Sequence, residues 1–493
     1  MSFDLSWCAS SACRAGKILG VLATIACMTS TANAADWLQF RGPQGSGVSV
    51  STSKLPQEIG PNSQVIWKAN VPPGHSSPVV TKDRIFLTAA RDKELLTMGL
   101  DRLSGKVLWE AAAPYETLEK IHRTGSFAQS TPATDGEIVV SFFGSSGLHA
   151  YDRTGKPLWS HRMGPFKNDF GAGSSPIIVD DSVILVEDHD VDSFIAAYDK
   201  RTGKLKWRTD RSEFLRNYAT PVVWEVNGKK EIVVSATLRI VGYDFETGQE
   251  KWTVTGVARI INMTPVIGPD NTLYAACFSP GAEGEDRIVP PSVEDLFASD
   301  TDKNGSLDEN EFPDNPLKKR FSQIDRNKDG QITPEEYRAV SRALGEGRNV
   351  VVAVKPGGTG DITKTHVKWE YTRQIPYCPS PLLYNGVLFM VKDGGILTSL
   401  DAETGKVIKQ GRLKSTGGFY ASPVAGDGKL YLLSQEGDLS VVSAEGKWEE
   451  LSSTKFDADG HGTPAIVNGR IYARLGSQLY CFGIPDQTAS LTK

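Results

Sequence analysis

The sequence predicts an all-β fold, an eight-bladed β-propeller with a small α-helical module inserted in blade 5, and three observations carry that expectation. A Ser/Thr-Pro dipeptide followed by a short apolar run recurs eight times. A turn of the form YDxxTGKxxW follows many of these runs at a near-constant distance. The two ends of the chain hold complementary parts of one further unit.

The chain has 493 residues, 39% of them hydrophobic and 23% charged, with a net charge of −5. That composition suits a large buried core and excludes a disordered chain or a multi-pass membrane protein. It has no basic footprint for nucleic acid. Residues 1–34 read as a secretory signal: Arg14 and Lys17, the apolar run from Ile18 to Met28, then small residues at Ala32 and Ala34. The apolar run is 11 residues long, too short for the roughly 20 a membrane span needs. Cleavage before Ala35 is expected, placing the protein in the periplasm, cell envelope or extracellular space. Lipidation at Cys27 is disfavoured by Thr24, which stands where such sites carry Leu. Export leaves Cys277, Cys378 and Cys481, which match neither a disulfide framework nor a CxxC metal pattern.

Residues 35–64 form an N-terminal extension, and the propeller is expected over 65–280 and 349–483, with a tail at 484–493. The dipeptides are Ser77-Pro78, Thr131-Pro132, Ser175-Pro176, Thr220-Pro221, Thr264-Pro265, Ser380-Pro381, Ser422-Pro423 and Thr463-Pro464. A period in the mid-forties is that of four-stranded blades. Proline suits the start of the innermost strand, an edge facing the channel, because it donates no hydrogen bond there. The turn motif ends at Trp109, Trp159, Trp207 and Trp252, and weakens to LDAETGKVIK at Asp401 and AEGKW at Trp448. It predicts a strand ending in Asp, a tight Thr-Gly turn, and an outgoing strand whose Trp packs on the neighbouring blade. After Pro464 the eighth unit lacks such a strand, and VIWKAN at 65–70 is an orphan of that type, so pairing the ends closes the ring.

One interval between prolines is 116 residues, about 72 too long, which puts an insertion at 281–348. It holds two 12-residue calcium loops of the EF-hand pattern, DTDKNGSLDENE and DRNKDGQITPEE. The first offers Asp300, Asp302, Asn304, the Ser306 carbonyl, Asp308 through water, and Glu311; the second offers Asp325, Asn327, Asp329, the Gln331 carbonyl, Thr333 and Glu336. Gly305 and Gly330 take the sharp turn, and Leu307 and Ile332 are placed to bridge the loops. Thr333-Pro334-Glu335-Glu336 predicts a helix start with a capping box. Pro313 and Pro316 require the helix after the first loop to be very short.

These units resemble the PQQ-type propeller repeat of quinoprotein dehydrogenases and BamB-like assembly proteins, over about residues 65–483 apart from the insertion. The run DWLQFRGPQGSGVS at 36–49 is similar to the start of exported PQQ-like propellers of planctomycete-type bacteria. The resemblance implies a propeller that serves either as a PQQ-dependent dehydrogenase of alcohols or sugars or as a scaffold for a protein or cell-envelope partner. A dehydrogenase of this kind is expected to carry an adjacent cysteine pair against the quinone and a Trp beneath it. No two cysteines adjoin here, and the repeat Trp residues are accounted for by packing, so PQQ is disfavoured as cofactor and calcium is the expected ion. The reading is a monomeric, non-catalytic binding or assembly module.

The axial mouth is the expected ligand position. The residues three before each proline are equivalent there: His75, Gln129, Gly173, Tyr218, Asn262, Cys378, Tyr420 and His461. Closure brings His75 and His461 together as a candidate histidine metal pair, and His122, Arg123 and Arg259 lie in the connecting loops as candidate anion contacts. The plain alternative is wet strand-entry loops and solvated charge. No GxxxxGK, HExxH or GxSxG motif is present.

Overall fold

The computed structural model describes residues 36–168, 170–190, 192–281 and 289–485. The proposed signal at 1–34, with Cys27, lies outside the described residues, as does most of the tail. Eight sheets, one per repeat and antiparallel apart from one short parallel strand added to blade 4, make up the propeller. Each innermost strand opens directly after its proline, as at Ile177–Val179 after Pro176 and Val222–Val226 after Pro221. Blade 8 consists of Ala465–Val467, Arg470–Leu475, Gln478–Gly483 and, from the other end of the chain, Val65–Asn70. In that last pairing Trp67 lies opposite Cys481. Two arginines span the junction of blades 8 and 1 in opposite directions. Arg102 donates to the Tyr472 hydroxyl and the Val467 carbonyl, while Arg474 donates to Ser76 Oγ and to the Thr88 and Pro72 carbonyls.

The turn motif forms a repeated joint between blades. In blade 3, Asp199 Oδ1 accepts from the Thr202 hydroxyl and the Thr202 backbone N–H, which locks the turn. The turn glycine then has a positive φ, 72° at Gly203, and the Trp159 ring of blade 2 lies against its bare Cα, where a Cβ would meet ring carbon at 2.7 Å. Trp159 Nε1 donates to the Lys200 carbonyl of the same turn at 2.9 Å. The joint recurs as Trp67 with Gly105, Trp109 with Gly155, Trp207 with Gly248 and Trp369 with Gly405. Glycine is required because it alone combines the left-handed backbone with no side chain under the indole.

The joints at blade 4/5, blade 6/7 and blade 7/8 differ. Trp448, expected as a weakened copy of the outer-strand Trp, precedes the strand Glu450–Lys455, and its ring packs back on Gly411. Lys409 occupies the Trp position of blade 6 and lies 4.2 Å from the centre of the Trp448 ring. A cation over an indole face thus replaces indole over glycine. The outer strand of blade 7 is met by the N-terminal extension, with Ser452 Oγ donating to the Gln57 carbonyl at 2.6 Å.

The extension crosses one end of the ring. Trp37 pairs with Val80 of blade 1, Arg41 reaches the Pro381 carbonyl of blade 6 at 2.7 Å, and Val48 bridges to Ala425 of blade 7. Asp427 receives Lys54 Nζ and the Leu55 N–H, both at 3.0 Å.

The insertion leaves blade 5 between its strands Leu273–Cys277 and Val350–Val354. It contains helix α1 (Val293–Phe297), helix α2 (Phe321–Ile324) and helix α3 (Pro334–Glu346), around a core of its own that includes Leu296, Leu307, Phe312, Ile324, Ile332 and Tyr337. Thr333 caps α3 with a reciprocal Glu336 and Pro334 in the first turn. Leu307 and Ile332 exchange backbone hydrogen bonds at 2.9 and 2.8 Å. The segment after the first loop forms turns, and helix appears only beyond Pro316.

Candidate functional site: the axial cavity and the calcium loops

The eight Ser and Thr residues of the dipeptides form a closed circuit around the channel. The backbone N–H of each donates to the hydroxyl of its counterpart in the next blade: Ser77 to Thr131, Thr131 to Ser175, Ser175 to Thr220, Thr220 to Thr264, Thr264 to Ser380, Ser380 to Ser422, Ser422 to Thr463. The backbone N–H of Thr463 completes it on Ser77 Oγ at 2.9 Å. A hydroxyl here accepts on a short, uncharged side chain, and it retains its own O–H for the cavity. That is why the repeat demands Ser or Thr as well as proline.

A cavity of about 250 Å³ stands on this circuit. All eight residues three before the prolines line it: His75, Gln129, Gly173, Tyr218, Asn262, Cys378, Tyr420 and His461. Gly173 leaves room for Tyr218, whose ring would lie 2.8 Å from a Cβ at that position. His75 and His461 stack with ring centres 4.0 Å apart. Burial, the neighbouring His461 and the Arg474 charge push His75 down to about 3, and burial lowers His461 as well. Both imidazoles are therefore neutral at pH 7. His461 Nδ1 is buried without a hydrogen-bond partner. Burial pushes the Cys378 thiol well up, which keeps it protonated.

The same cavity is lined by residues that the repeat spacing does not single out. Phe40 comes from the N-terminal extension, and Phe170, Tyr377 and Arg216 from connecting loops. Arg216 is the one cation among the described lining residues, and the Asp190 carboxylate holds it at 2.5 and 2.7 Å. The Gly-rich run after Phe40, with positive φ at Gly42, Gly45 and Gly47, marks a tightly folded segment and is the signal that points to the extension. Of the candidate anion contacts, Arg259 donates to Ser279 Oγ and the Pro280 carbonyl and borders a second cavity, under the insertion. His122 bonds Thr124 and tilts against Phe170. None of His122, Arg123 and Arg259 is among the described lining residues of the axial cavity.

In the first candidate calcium loop, oxygens of Asp300, Asp302 and Glu311 lie within 4.8 Å of one another. Asp300 Oδ1 and Asp325 Oδ1, at the first position of each loop, are buried without a hydrogen-bond partner. A buried, unpaired carboxylate oxygen is costly in water's absence and fits a cation. Glu311 is held below the usual carboxylate range, chiefly by the Thr301 hydroxyl. The donor set is all oxygen, which suits calcium.

Among families of known proteins, segments 60–165, 99–283 and 334–489 match the one described as outer membrane protein assembly factor BamB. The chain belongs to this BamB family. Residues 317–341, around the second loop, match the EF-hand family. No curated protein matches the chain. Among solved structures, BamB from Moraxella catarrhalis aligns at 13% identity and TM-score 0.53, over 85% of this chain and 97% of its own. The computationally designed protein Ika8 aligns at 12% identity and TM-score 0.53, over 86% and 100%. A europium-containing methanol dehydrogenase aligns at 10% identity and TM-score 0.49, over 92% and 99%. At these identities the likeness is one of fold, and the fold hosts unrelated functions. Among the described residues, no helix is long and apolar enough to cross a membrane.

Proposed function

We propose that this BamB-family propeller is an exported, non-catalytic binding or assembly module that holds calcium in its two EF-hand loops and receives a protein or cell-envelope partner at its axial mouth. The observation that carries the reading is the lining of the axial cavity. Aromatic, amide and hydroxyl side chains converge there from all eight blades, and among the described residues no carboxylate lines it. A histidine depressed to about 3 is a weak base, and a protonated thiol is a weak nucleophile. The surface is built to contact, not to transfer protons.

PQQ does not fit this cavity. The cysteines of the chain are not adjacent, no Trp is among the described lining residues, and the one guanidinium among them is engaged by Asp190. Calcium fits: Asp300, Asp302, Asn304, Ser306, Asp308 and Glu311 would hold one ion, and Asp325, Asn327, Asp329, Gln331, Thr333 and Glu336 a second. The ion supplies charge neutralisation for the two orphaned Asp oxygens. Export rests on the 1–34 signal reading, and the matched family's description is consistent with an envelope location.

Incubation of the purified protein with PQQ and calcium, followed by a dye-reduction assay on alcohols and sugars, is expected to show no turnover. Turnover, or a tightly held quinone chromophore, would overturn the reading. A pull-down from an envelope fraction is expected to recover a partner with the wild type and to lose it with Tyr218→Ala and Tyr420→Ala.

A further inference from the structure

The two calcium loops are near copies, yet their second positions do different things. In the first loop that residue is Thr301, whose hydroxyl and N–H both turn inward to Glu311 Oε1 at 2.8 and 3.0 Å. In the second it is Arg326. Its backbone N–H makes the equivalent bond to Glu336 Oε1 at 3.0 Å, but its side chain leaves the loop for the propeller. Nε donates to the Asp190 carbonyl at 2.9 Å and Nη2 to the Ser212 carbonyl at 2.7 Å. The next residue is held from the other side, with Lys167 Nζ donating to the Asn327 carbonyl at 2.8 Å.

Asp190 is also the residue whose carboxylate clamps Arg216. Arg216 lines the axial cavity and the second cavity, where it faces Val340, Ala343 and Leu344 of α3. A short path of direct contacts therefore runs from the calcium-binding backbone of the second loop, through Arg326 and Asp190, to the wall of the mouth. Among the described residues, no comparable bond to the propeller is made by residues 300–311.

We infer that the second loop is a calcium-dependent latch: ion binding at Asp325–Glu336 fixes Arg326 and Asn327 against blade 3 and thereby sets the Asp190–Arg216 wall of the mouth, while the first loop serves the module alone. This rests on the reading of both loops as calcium sites. The physical cause is linkage. A calcium ion that binds the ordered loop better than the loose one favours every contact made only by the ordered loop, and those contacts tighten the ion by the same factor.

Calcium titration of the mature protein by calorimetry, together with hydrogen exchange over residues 186–218, tests it. Two calcium events are expected in the wild type. Arg326→Gln should weaken one of them about tenfold, roughly 1.4 kcal/mol, and Glu336→Gln should remove that same event. Calcium should slow exchange across 186–218 in the wild type and in Glu311→Gln, but not in Arg326→Gln or Glu336→Gln. Lys167→Met gives a second, milder break of the latch from the propeller side and should weaken the same event. An unchanged affinity in both Arg326→Gln and Lys167→Met, or protection that depends on Glu311 instead of Glu336, would overturn the latch. Absence of any calcium heat in the wild type would overturn the calcium reading itself, and the latch with it.

Discussion

The joint between blades 2 and 3 and the joint between blades 4 and 5 solve one problem in two ways. In the first, the Trp159 indole lies on Gly203 and donates to a backbone carbonyl of the same turn. In the second, the turn of blade 5 is the longer segment 355–366, and Trp252 turns inward. Its Nε1 donates to Glu231 Oε2 at 2.7 Å, and its ring meets Trp224 edge-on at 5.6 Å. The blade 5 segment answers by adding Gly360–Asp361 as a fifth, parallel strand beside Trp252. The regular joint depends on shape, and the irregular one on a buried acid and an added strand. The blade that carries the insertion is thus also one of those whose seam with its predecessor departs from the repeat.

The largest expected difference between them is steric. Gly203→Ala must adopt a left-handed backbone and push a methyl into the Trp159 ring, so a loss of about 2–4 kcal/mol is expected in chemical denaturation. Gly360→Ala has the same sign of φ, 68°, but nothing within 4 Å of its Cβ, and should lose only about 1–2 kcal/mol. Equal losses would break the distinction. Next in size is Glu231→Gln. It takes the charge from a carboxylate that receives both Trp252 Nε1 and Lys251 Nζ, and is expected to cost about 1–3 kcal/mol. At the regular joint the indole donates to a backbone carbonyl, that of Lys200, so no equivalent substitution exists there.

The smallest effect is one the two joints share. Hydrogen bonds from Thr202, by side chain first, hold Asp199 below its ordinary range, and Thr363 does the same for Asp361 at the blade 5 segment. A carboxylate depressed in the folded state adds stability above its unfolded pKa, and that stability is lost as the pH falls through the folded value. Thr202→Val and Thr363→Val should each cost a few tenths of a kcal/mol at pH 7, since both acids are exposed. The cost should vanish at acid pH, once both carboxyls are protonated, as read from denaturation midpoints at neutral and acid pH. Asp427 offers a stronger case. Although burial raises it, Lys429, the Leu55 N–H and Lys54 bring it to about 2, so the hold of the extension on blade 7 is expected to weaken between pH 4 and pH 2.

Much of this was legible in the sequence because it repeats. One Ser/Thr-Pro dipeptide is only a turn, but eight in phase define a set of equivalent positions. The ring from His75 to His461 follows from counting three residues back from each proline. The EF-hand loops were legible for a related reason, since a 12-residue loop places its oxygens by local spacing alone. Phe40, Phe170, Tyr377 and Arg216 were not legible, because each enters the cavity from a segment outside the repeat phase. Trp448 misled because AEGKW has the composition of the turn motif while its indole sits one step ahead of the strand.

By itself the sequence determined the number of blades, the place of the insertion, the equivalence of the mouth positions and the candidate oxygen ligands of each EF-hand loop. All of these depend on contacts close along the chain or on a regular period. Only the tertiary structure decided that eight hydroxyls close into one hydrogen-bonded circuit, that the N-terminal extension places Phe40 in the cavity, and that Arg326 docks on Asp190 while Thr301 turns inward. Those contacts join residues as far apart as 77 and 463; the circuit and the Arg326 contact each use a backbone N–H or carbonyl, groups that nearly every residue carries, so residue types along the chain do not say which partners meet.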